Sequence, residues 1–129
     1  RVNGRAYWER QHLTKIVRKR LVDEALKEGI AIVDDSCNLS KYLREKNINK
    51  AKKHGYKTML VWVLCSEPEL LERLNQADKE NIKSGKKEAW DSLYKMQKQI
   101  FYRGNEPDRR EADEFIVVLS SMDDPRMIQ

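Results

Sequence analysis

The sequence has only two cysteines, Cys37 and Cys65. They are too few for a disulfide framework and lack zinc spacing, so both are expected to be free thiols under reducing conditions. Long apolar runs are also missing: the longest, Met59–Cys65, is far too short to cross a bilayer, and no signal-peptide pattern opens the chain. No membrane partner and a cytoplasmic location are therefore expected. Internal repeats, low-complexity tracts and linkers are absent, so residues 1–129 read as one domain with one core. Neither the glycine fingerprint of a dinucleotide site nor a zinc ligand set occurs, which excludes dehydrogenase and zinc readings.

Charge is plentiful. A charged fraction of 36% and a net charge of +5 suit a nucleotide or polyanion ligand without selecting one. From Ala6 to Glu28 the apolar positions Leu13, Ile16, Val17, Leu21, Ala25 and Leu26 recur at three- and four-residue spacing, which predicts a long amphipathic helix stopped by Gly29. Its outer face carries Lys15, Arg18, Lys19 and Arg20, and Tyr7 and Trp8 stand at its start. Next comes GIAIVDDSCNLS, Gly29–Ser40, around which the chain is organised. The run Ile30–Val33 reads as a buried strand, and its carboxyl end opens into a polar loop of Asp34, Asp35, Ser36, Asn38 and Ser40. Ligands of open parallel sheets bind beyond such strand ends. Successive strand side chains point to opposite faces, so only one of Asp34 and Asp35 faces a ligand there.

Ser40 caps a second predicted helix, Lys41–His54, with Leu43, Ile48 and Ala51 inward and Gly55 closing it. Tyr56–Cys65 is the most strand-like run, apolar on both sides from Leu60 to Leu64, so both its faces are expected to be covered. Ser66-Glu67-Pro68-Glu69 opens a helix, with Leu70, Leu71 and Leu74 inward. Ala77–Lys87 is polar and lysine-rich and reads as an exposed loop. Glu88–Phe101 is a further helix with Trp90, Leu93, Tyr94, Gln97, Ile100 and Phe101 on one side, and Tyr102–Asp108 a turn. Phe115–Leu119 is the last strand, and residues 120–129 are a tail.

The string Asp34-Asp35-Ser36, Asn38-Leu39-Ser40 and Arg44, followed by Ala51-Lys52-Lys53-His54-Gly55-Tyr56 and Leu70-Leu71-Glu72-Arg73, resembles the P-loop kinases related to polynucleotide kinase and zeta toxin, an AAA-like group. Cys37 stands as a one-residue insertion in that pattern. The resemblance implies a three-layer α/β/α domain with a small, mainly parallel sheet, P-loop NTPase-like but without its first strand. It implies ATP and Mg2+ as cofactors and phosphoryl transfer to a hydroxyl of a nucleic-acid end or of a small metabolite. On this pattern Asp35, or else Asp34, is the catalytic carboxylate, Asp35 being favoured and also the metal contact. Arg44, Arg73, Asn38 and Ser36 are the implied nucleotide and phosphate contacts, and 77–87 is a lid. No G-x-x-x-x-G-K-[ST] loop occurs in the sequence. The 129 residues are therefore expected to be an N-terminally truncated domain, inactive by itself, whose sheet is completed by a missing N-terminal segment or a partner chain. The other reading is a non-catalytic nucleic-acid- or protein-binding module that retains the fold. Ile32-Val33-Asp34-Asp35 is also similar to the acidic pocket of receiver domains, but Ser66-Glu67-Pro68 stands where that fold needs its phosphoacceptor aspartate.

Overall fold

The first helix, α1 (Gly4–Glu28), ends as glycine dictates. Gly29 takes a φ of 71°, and the Ile30 N–H reaches back to the Ala25 carbonyl at 3.0 Å, satisfying one of the carbonyls a helix end leaves open. The computed structural model describes residues 4–83 and 90–120, with the side chains of residues 4–8, 81–83 and 90–92 outside that description. Helix α2 (Lys41–Lys53) starts at its N-cap Ser40, whose hydroxyl oxygen accepts from the Leu43 N–H, and ends at Gly55 in the same left-handed manner. Strand β1 (Met59–Leu64), helices α3 (Glu67–Lys83) and α4 (Trp90–Phe101), a 3-10 turn at Arg109–Glu111 and strand β2 (Glu114–Leu119) complete the order.

The sheet is a parallel pair. Met59 lies opposite Glu114 and Leu64 opposite Leu119, with the α3–α4 hairpin as the crossover. The protein is thus an α/β domain with a small parallel sheet and flanking helices, as the sequence implies. Its register is set at one end by a reciprocal clasp: the Thr58 N–H and hydroxyl both donate to the Asp113 carboxylate, at 2.8 and 3.0 Å, while the Asp113 N–H donates to the Thr58 hydroxyl oxygen. The Thr58 amide, and then its hydroxyl, hold the Asp113 carboxyl below the usual carboxylate range. Stability from this contact is complete above about pH 4, the ordinary aspartate value, and fades as pH falls through the lower folded value. Asp113→Asn is expected to flatten the loss of stability below pH 4, read from urea midpoints collected between pH 5 and pH 2.

Packing differs between the two faces of the sheet. Leu60, Trp62 and Leu64 are half-buried, and the Trp62 ring meets Phe101 of α4 at 5.8 Å between centroids. Met59, Val61 and Val63 are exposed, as is Ile116 opposite Val61. Coverage of both faces, expected for this strand, is thus found on one side only among the described residues.

Three further readings are corrected. Ile30–Val33 forms no ladder among the described residues, and Val33 is 92% exposed, because β1 has β2 as its only described neighbour. Leu13, Ile16, Val17 and Leu21 of α1 and Leu43 of α2 are exposed, and among the described side chains of α1 only those near its end are packed, with Leu26 at 4% exposure. Residues 77–83 are not loop but the last turns of α3. Alanine, lysine and glutamate favour the helix there, and Gln76 bonds to Glu80 one turn on. The rest of the lid-like segment, 84–87, and residues 121–129 of the tail lie outside the described residues.

Candidate functional site

The loop Asp34–Ser40 is organised by hydrogen bonds of its own residues and by two arginines. Asp34 accepts from Arg18 of α1 at Oδ2, 2.7 Å, and from the Ser36 hydroxyl at Oδ1, 2.8 Å. Asn38 adopts a φ of 46°, a left-handed conformation that asparagine tolerates, and its amide reaches back towards the Asp34 and Ser36 carbonyls. Ser36, expected as a phosphate contact, thus turns to Asp34, and Asn38 closes the turn. Asp35 is exposed, and among the described residues no hydrogen bond or ion pair holds its carboxylate. Cys37 is exposed beside it.

Arg44 is placed differently from the phosphate contact that the resemblance implies. It is 3% exposed, and all five of its N–H groups are engaged. Nε and Nη2 donate to the Glu111 carboxylate, Nη2 also to the Asn105 carbonyl at 2.7 Å, and Nη1 to the Asn38 and Leu39 carbonyls at 2.9 and 3.0 Å. No donor is left for a phosphate. A buried guanidinium requires a buried anion, and Glu111 supplies it. Glu111 also accepts from the Asp108 N–H, closing a capping box over the 3-10 turn, while Asn105 Oδ1 accepts from the Lys41 N–H and Asn105 Nδ2 donates to the Ile100 carbonyl. The acidic loop, the start of α2, the end of α4 and the approach to β2 are thereby joined at one point.

Arg73 pairs with Glu69 one turn earlier on its own helix, and among the described residues no hydrogen bond joins it to the acidic loop. Glu67, at the first turn of α3, pairs with Lys98 of α4 and accepts from Tyr94, and Lys98 holds its carboxyl below the usual range. Asp108 is likewise lowered, by the Arg110 guanidinium and then by the Arg110 amide.

Sequence reasoning missed Asn105 and Glu111, and it placed Arg18 on the outer face of α1 without its partner Asp34. The Asp108-Arg109-Arg110-Glu111 string carries the capping-box spacing and was legible as a turn. Nothing in it announces that its glutamate would bury an arginine 67 residues away.

A parallel strand pair with a helical crossover, preceded by an acidic loop that follows an apolar run, is the arrangement of a P-loop kinase-like NTPase fold. The chain belongs to a family described as an AAA domain, whose sequence profile matches residues 2–100. No curated protein and no solved structure matches it. Membership makes nucleotide binding the general property of the fold, and such domains hold their nucleotide with Mg2+. The residues present fit one half of that requirement. Asp35 has an exposed carboxylate with no described partner, of the type that could hold Mg2+ through water. The phosphate cradle is not among these residues: the sequence has no G-x-x-x-x-G-K-[ST] loop, and no group of three or more metal-ligating side chains gathers among the described residues. No described helix is long and apolar enough to cross a membrane.

Proposed function

We propose that this domain is part of a kinase that transfers a phosphoryl group from ATP to a hydroxyl of a nucleic-acid end or of a small metabolite, and that these 129 residues are inactive until their sheet is completed. The observation that carries the reading is a pair of strand-like backbone edges that lack a ladder partner among the described residues. Among the described residues Ile30–Val33 has no ladder partner, and β1 has one only on the side of β2, although both segments are rich in residues that favour strands. A single parallel strand supplied by an upstream segment or a partner chain, with a phosphate loop at its carboxyl end, would satisfy both edges and set that loop near Asp35. In such a site the carboxylate orients the attacking hydroxyl or holds the metal through water.

Calorimetry of ATP with Mg2+ tests this, applied to the 129-residue chain and to the complete gene product. Binding by the complete product alone is the expected result. Binding by neither, together with capture of an oligonucleotide that weakens steeply as salt is raised, would instead identify a binding module using Lys15, Lys19 and Arg20 of α1.

A further inference from the structure

Two aspartates end the apolar run, and their sequence leaves open which one serves a ligand. The surroundings of the pair separate them. Asp34 is held from both sides, by Arg18 on one carboxylate oxygen and by Ser36 on the other, whereas Asp35, the next residue, is held by nothing described. Arg18 comes from the middle of α1 and approaches the loop from outside it, 16 residues before its partner. The far end of the same loop is fixed independently, by the buried Arg44 on the Asn38 and Leu39 carbonyls. The left-handed Asn38 makes the turn between these two anchors. A loop pinned at both ends by guanidinium groups presents what lies between them, and the carboxylate between them is Asp35.

We infer that Arg18 is a positioning residue: it turns Asp34 back onto α1 and so leaves Asp35 as the carboxylate presented to the nucleotide. This rests on the phosphotransferase reading for its purpose, but not for its geometry. Arg18 is 55% exposed and Asp34 32%, so the pair is a solvent-screened one whose loss loosens the loop without unfolding the domain. Arg18→Lys keeps one charged contact and Arg18→Gln keeps none.

The test has two readouts. The first is the backbone order parameter of Asp34–Cys37 by 15N relaxation. It is expected near ~0.85 with Arg18, to fall below ~0.6 in Arg18→Gln while Leu39–Arg44 stays rigid, and to recover in Arg18→Lys. The second is turnover by the complete gene product. Arg18→Gln is expected to lower kcat by about fivefold with the KM for ATP unchanged, Asp34→Asn to do the same, and the double variant to lose no more than either single one, as coupled residues do. Equal order in the Arg18 protein and in Arg18→Gln would overturn the inference, with or without turnover. Turnover that Arg18→Gln leaves untouched would overturn it as well. A complete protein without turnover, whose loop still loosens in Arg18→Gln, would keep the positioning role and defeat the phosphotransferase reading.

Discussion

Arg44→Ala is expected to destabilise the domain by about 3–5 kcal/mol, because it removes one member of a buried ion pair and leaves the other in place. The Glu111 carboxylate would stay in a site it shares with no other cation, since its remaining described hydrogen bond comes from the Asp108 N–H. The carbonyls of Asn38, Leu39 and Asn105 would lose the guanidinium that serves them, and each buried acceptor left unmet adds to the cost. Domains of this size have a total stability of about 5–15 kcal/mol, so the variant is expected to be partly or wholly unfolded at room temperature. Arg44→Lys should be nearly as damaging, because a compact ammonium cannot replace a five-donor fork that spans a carboxylate and three carbonyls. Urea denaturation followed by circular dichroism measures both. If Arg44 contacted a phosphate instead, Arg44→Ala would leave the urea midpoint unchanged and weaken only nucleotide binding.

The second large effect is expected in activity and not in stability. In the complete gene product, Asp35→Asn should lower turnover with ATP by about 10²- to 10⁴-fold, the range associated with loss of a positioned acid or base. Its melting temperature should stay where it is, because the Asp35 carboxylate is exposed and has no described partner to lose. Asp34→Asn gives the contrasting pattern, a modest loss through the loop alone. Steady-state kinetics and thermal melts on the two variants distinguish these outcomes. Equal losses from both would mean that the two carboxylates share the work.

These contrasts show how far the sequence could be read. Local signals succeeded where the physics is local. Gly29 and Gly55 end helices because only a residue tolerant of positive φ ends them that way, and Ser40 caps α2 through its own hydroxyl. The strand-like runs Tyr56–Cys65 and Phe115–Leu119 became the parallel pair, whose first strand is the shorter Met59–Leu64. Failures came where the outcome depends on a distant partner. Ile30–Val33 has the composition of a strand, but a strand needs an adjacent backbone edge, and composition does not report whether one is present. Arg44 has the position of a phosphate ligand, and only the arrival of Glu111 and Asn105 from the far end of the chain turns it inward. The start of the predicted lid looked like loop because it is polar, yet an exposed helix is polar too, and α3 runs through it to Lys83.

The clasp between Thr58 and Asp113 has a consequence for the order in which the chain assembles. Its two residues are 55 positions apart, and the Arg44–Glu111 pair spans 67, so both contacts close long loops before they gain any favourable energy. The α3–α4 hairpin between them needs only neighbouring residues and can form in microseconds. The two strands therefore meet late, once the hairpin has drawn their ends together, and until then the chain carries two apolar strand segments with unpaired backbone. In refolding, this domain is expected to be most prone to aggregate in that interval.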